Sequence, residues 1–135
     1  MTRIYLAASA GDLELLAAGE SVSVVAFGAT PALAMTLASA MDGDLEDVEF
    51  AALSLASDAS QEKGAHRIVI AADVGGDVVA ADGELGKLVL SSAVGLDQVA
   101  SFHLGLDGDE DLAWYATQEL GAVLTAIGST APHPY

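Results

Sequence analysis

The side chains able to do chemistry are mostly carboxylates. Asp107, Asp109, Glu110 and Asp111 stand together in DGDED, a density of oxygen donors that suits a hard cation such as Mg²⁺ or Ca²⁺. The run lacks the later bidentate Glu of an EF-hand loop. Acids in the first turn of a helix also complement its dipole, and that simpler role is preferred. Asp107, Asp109 and Asp111 stand as the candidate metal ligands, while no metal or other cofactor is expected. Asp73 ends HRIVIAADV just before Gly75-Gly76. Functional groups often occupy that position in α/β proteins, and so do turn-capping aspartates, the preferred reading. Glu119 falls at the margin of an apolar stripe beside Tyr115. Desolvation there would raise its pKa unless a donor such as Arg3, Arg67 or His103 compensates. Asp73 and Glu119 are thus the candidate catalytic carboxylates, with a structural hydrogen bond preferred for Glu119.

The histidines add little. His66, His103 and His133 show no i, i+4 metal spacing, and no Ser or Cys nucleophile is read beside them. Gly75-Gly76 lacks the spacing of a phosphate loop. No enzyme signature emerges.

The elements that position these groups read as follows. Arg3–Ala8 is a strand, and Ser9-Ala-Gly-Asp12 resembles a capping box that starts a short helix ending at Gly19. Val22–Phe27 is a strand, and Thr30-Pro31 is an N-cap with Pro at N1, starting a helix to about Met41. A second helix over Leu45–Lys63 carries Leu45, Val48, Ala52, Leu55 and Ala59 inward, which turns Phe50 outward. His66–Val74 is apolar on both faces, as a covered central strand should be. Val78–Gly86 is ambiguous between an arm and an edge strand. Lys87–Ser92 and Val99–Leu106 are strands, with His103 pointing away from Phe102.

Asp107–Ile127 reads as the last helix, with Leu112, Ala116, Leu120, Val123 and Ile127 on one stripe. Trp114 and Gln118 then face outward, with Tyr115 on a flank. Burying the indole is worth at most about 4–6 kcal/mol, so a neighbouring surface is expected to cover it. The expected fold is α+β: a single mixed sheet of about five strands with about three to four helices packed on it. It forms one domain over 1–128, and 129–135, with Pro132 and Pro134, is a flexible tail.

Composition narrows the partners. Twenty acids against four Lys and Arg give a net charge of −16. Phosphate backbones and anionic lipids need basic clusters that this chain lacks, so nucleic acid and membrane are excluded as partners. The uncharged run Ser21–Met41 is interrupted by Gly28, Thr30 and Pro31 and has no basic anchor, which argues against a membrane span. The chain has no cysteine, which fits a reducing, cytoplasmic setting.

IYLAAS, ATPAL, EFAAL, HRIVIAADV and DLAWYATQEL, in that order, resemble an uncharacterised family of small acidic actinobacterial proteins known only as a domain of unknown function. WYATQEL and IVIAADV are the most specific stretches, and family members tend to carry Tyr at the position of Phe50. The resemblance implies an actinobacterial, cytoplasmic origin and no particular activity. Trp114, Gln118, Phe50 and Tyr115 are the candidate interface of a non-catalytic binding module that self-associates, expected as a homodimer. The alternative is a carboxylate-based enzyme or sensor, with a divalent metal or without one.

Overall fold

The computed structural model describes residues 2–30, 33, 45–62, 66–75, 78–82, 86–105 and 112–127. Strand β1 (Thr2–Ala8) enters helix α1 (Ala10–Ala17) through the anticipated capping box: Ser9 N–H donates to Asp12 Oδ2 at 2.8 Å, and Asp12 N–H donates back to Ser9 Oγ at 3.4 Å. Gly19 stops the helix in the left-handed region at φ 84°, where a side chain would be strained.

Strand β2 (Ala26–Gly28) is shorter than expected. Val22 forms an isolated bridge to Val94 instead of continuing the strand. Thr30 Oγ1 accepts from the backbone N–H of Leu33 at 3.2 Å, the N-cap bond read from Thr30-Pro31. The rest of the helix expected to Met41 lies outside the described residues, as does the tail 129–135.

Helix α2 (Leu45–Gln61) is followed by β3 (Arg67–Val74), β4 (Val79–Asp82), β5 (Lys87–Leu90) and β6 (Val99–Gly105). Then comes a correction. Residues expected to open the last helix form strand β7 (Ala113–Ala116) and a single 3-10 turn, Thr117–Glu119. Helix α3 covers only Leu120–Ala126. The open side of β6 presents unpaired N–H and C=O groups, and AWYA pairs with them in register.

Among the described residues the sheet has seven strands in the order β4-β5-β2-β1-β3-β6-β7, against about five expected. Every pairing between these strands is antiparallel, so the sheet is not mixed in strand direction. The two added strands are β4, left ambiguous by its sequence, and β7, hidden inside an apparent helix.

The sheet separates two cores. On one face Ile4, Leu6, Ile68, Ile70, Phe102 and Leu104 pack under α1 and α3, through Leu13, Leu16, Leu120 and Val123. On the other, Tyr5, Ala7, Phe27, Val69 and Ala71 pack under α2 through Val48, Ala52 and Ala56. This explains why β3 is apolar on both sides. Ser60 ties α2 to the sheet. Its buried Oγ donates to the carbonyl of Ala8 at 2.6 Å and accepts from the N–H of Ile68 at 2.8 Å, bridging the directly paired ends of β1 and β3.

Candidate functional site

Helix α2 lies over β1, β2 and β3, so β6 and β7 extend past its flank on that face. The step from helix to bare strands leaves a groove of about 420 Å³, within the size range of small-molecule sites. Phe50, Leu53, Ser54, Ser57 and Asp58 line it from α2, Arg67 from β3, His103 from β6, and Leu112 from just before β7. The helix residues recur at spacings of three and four, so they form one row down a single flank.

The groove has a polar end and an apolar end. Ser60, bonded to Ile68 N–H, fixes the last turns of α2 beside the start of β3. Ser57 and Asp58 line the groove from the turn before Ser60, and Arg67 lines it from the first residue of β3. Phe50 is seven to eight residues earlier, roughly 10–12 Å along the helix. The Arg67 side chain lies flat because Gly105 faces it across the ladder. A Cβ on Gly105 would fall 2.8 Å from Arg67 Nη2 and 2.9 Å from both Arg67 Nε and Leu112 Cδ2.

Two polar groups distinguish the groove from packing residue. Ser57 is buried, and its Oγ has no hydrogen-bond partner, a position that costs free energy until something bonds to it. His103 is half-buried, and desolvation, followed by the charge of Arg3, pushes its pKa below the ordinary 6.5. The ring is therefore neutral at pH 7. Its Nε2 sits 3.0 Å from Ser101 Oγ, so a Ser does stand beside a His in sequence after all. Ser101 does not line the groove, and its bond orients the ring rather than presenting a nucleophile.

Trp114 borders this site. On β7 it is directly opposite His103, and directly opposed residues share a sheet face. The indole is 64% exposed, and Phe50, on the helix side, is 68% exposed. Trp114 reaches the surface from a strand rather than from the back of a helix. Tyr115, next in the strand, turns to the other face and packs against the larger core. Gln118 is exposed in the turn after β7.

The candidate carboxylates are not gathered here. Asp73 pairs across β1 and β3 with Arg3, which donates from Nε to Oδ1 at 2.6 Å and from Nη2 to Oδ2 at 3.0 Å. That fork holds the carboxyl pKa below its ordinary 3.8. Asp73 is also roughly 20 Å along β3 from Arg67 at about 3.3 Å per residue. Glu119 accepts from the backbone N–H of Ala116 at 2.9 Å. The backbone thus serves where Arg3, Arg67 or His103 was expected, because Glu119 closes a 3-10 turn rather than lying mid-helix. Asp107, Asp109 and Asp111 lie outside the described residues. Among the described residues no group of His, Asp and Glu is arranged to hold a metal, and no helix is long and apolar enough to cross a membrane.

A family model described as a family of unknown function (DUF6912) matches residues 2–109, most of the chain, and the protein belongs to that family. No curated protein and no solved structure matches the chain.

Proposed function

We propose that this member of the family is a non-catalytic binding module that pairs with a second copy of itself through the face carrying Phe50 and Trp114. One observation carries the reading: among the described residues, the two aromatic side chains left most open to solvent flank the same groove, one from α2 and one from β7. Large exposed aromatics are the side chains that anchor interfaces, by filling pockets on a partner. A groove beside each aromatic offers the second copy such a pocket, as a two-fold interface requires. Gln118 is exposed in the turn that follows β7. Tyr115 does not belong to this surface. The cysteine-free, acid-rich composition supports a cytoplasmic setting, in keeping with an actinobacterial origin.

Light scattering after gel filtration tests the pairing. A dimer is expected at micromolar concentration, converted to monomer by Trp114→Asp or Phe50→Asp with unchanged circular dichroism. A wild-type monomer throughout that range would remove the reading. The carboxylate-enzyme alternative has no observation in its favour: Asp73 is engaged by Arg3 and Glu119 by backbone. Calorimetric heat on adding Mg²⁺, Mn²⁺ or Ca²⁺ would revive it.

A further inference from the structure

The face proposed for pairing ends at the outer edge of β7, and the direction of each backbone hydrogen bond in the sheet decides what that edge offers. We infer that β7 adds to β7 of the second copy, antiparallel about a two-fold axis at Trp114, so that one sheet runs through the dimer. The inference rests on the pairing reading and adds how the two copies meet.

Along a strand in an antiparallel sheet, the N–H and C=O groups of successive residues point to alternate neighbours. Ala7 N–H donates to Val25 C=O at 2.9 Å, on the β2 side, so Leu6 and Ala8 point toward β3. The Ser60 bridge between Ala8 C=O and Ile68 N–H agrees. Ile68 and Ile70, opposite Ala8 and Leu6, therefore point back to β1, and Val69 and Ala71 point to β6. Their partners there are His103 and Ser101, which leaves Phe102 and Leu104 to bond β7 through Tyr115 and Ala113. Trp114 and Ala116 thus aim their N–H and C=O groups off the sheet. An independent contact says the same: Ala116 N–H donates to Glu119 Oε1 at 2.9 Å.

Trp114 is therefore open in its backbone as well as in its indole, which is 64% exposed. Antiparallel pairing about a two-fold is self-complementary, so Trp114 and its copy exchange N–H···O=C bonds at the axis. Leu112 N–H then meets the Ala116 carbonyl of the copy. The Ala116 N–H, held by Glu119, limits the seam at that point. Directly opposed residues share a face, so both indoles lie on the α2 side, each beside the other at the mouth of the opposite groove.

Three observations make the occupant a second copy. Phe50 and Trp114 are each about two-thirds exposed. At about 150–250 Å² per aromatic, the pairs on two copies offer roughly 400–650 Å², short of the roughly 1,200 Å² of a stable interface. A seam of strands adds the surface that the aromatics lack. Leu112–Gln118 carries no charge in a chain with 20 acids, so like-charged copies meet along an uncharged line. Finally, the opposite edge strand, β4, has a register shift between Val79 and Ala81 and ends at Asp82, features that keep an edge from pairing. β7 is in regular register throughout. One open edge per chain closes the assembly at two.

Amide hydrogen exchange, read by NMR on the wild-type dimer and the Phe50→Asp monomer, tests the seam. The Trp114 amide should exchange about tenfold or more slowly in the dimer, while the Ala113 and Tyr115 amides, bonded to β6 in both, change far less. Should Phe50→Asp misfold or still pair, wild type diluted to monomer supplies the reference, read by mass spectrometry of peptides spanning β7. A dimer whose Trp114 amide exchanges as fast as the monomer's sinks this inference and spares the pairing. An amide equally slow in both means that the chain closes its own edge, which also sinks it. A wild type that stays monomeric removes the pairing and the seam together, and leaves the edge to a strand of another protein.

Discussion

His103 is the side chain that couples the groove to pH. Its pKa lies below the ordinary 6.5, mainly through desolvation and secondarily through Arg3. Well above pH 6.5 the imidazole is neutral in both the folded and unfolded chain and contributes no pH dependence. As pH falls through 6.5 the unfolded chain takes up the proton first, so stability declines until the folded ring also titrates. The melting-temperature difference between wild type and His103→Gln should therefore be constant well above pH 6.5 and move against the wild type as pH falls through it. Using the difference removes the contribution of the many carboxylates common to both. Asp73 has the opposite sign. Its pKa is held below 3.8, first by the Arg3 hydrogen bonds and then by the Arg3 charge, against a desolvation penalty. Its contribution is present above 3.8 and lost as pH falls through the lower folded value. Both partners are more than a third exposed, so solvent screens the pair. Asp73→Asn should cost less than about 1 kcal/mol by urea denaturation.

The hold of α2 on the sheet governs whether there is a groove at all, and the Ser60 hydroxyl bonds it to both β1 and β3. Ser60→Ala would leave the Ala8 carbonyl and the Ile68 N–H without that hydroxyl in a buried setting, a loss of about 1–3 kcal/mol, measurable as a lower urea midpoint. Nothing in SQEKG marks Ser60 in advance, because the bond joins residues 52 positions apart. Locally encoded elements were legible from the sequence: the Ser9–Asp12 capping box, the Thr30 N-cap, the outward turn of Phe50 and the doubly covered β3. The last helix was not, for a physical reason. In AWYA an outward Trp beside a half-buried Tyr fits a helix flank and an alternating strand equally well, and only the open edge of β6 decides. Trp114 came out exposed on either backbone, whereas Tyr115 was displaced to the opposite face. Of the groove, the sequence displayed Phe50 and the turn of His103 away from Phe102. It hid the meeting of Ser57, Asp58 and Arg67, which depends on how the chain folds back from α2 into β3.

At the scale of the whole molecule, charge sets a test of the pairing. Each chain carries −16 with only four Lys and Arg to offset its acids, so two copies approaching through the Phe50–Trp114 face repel one another. The attraction available to them is apolar burial, which salt does not screen. The Debye length shrinks from about 30 Å at 0.01 M to about 3 Å at 1 M salt, which removes most of the repulsion and leaves the burial. Dimer affinity should therefore rise by about tenfold or more between those concentrations of sodium chloride, as read by sedimentation equilibrium. The melting temperature of the chain should rise in parallel as its self-repulsion is screened. Pairing that weakens as salt is added would mean that the two surfaces attract through charge, and the exposed aromatics would then lose their place as the anchors of the interface.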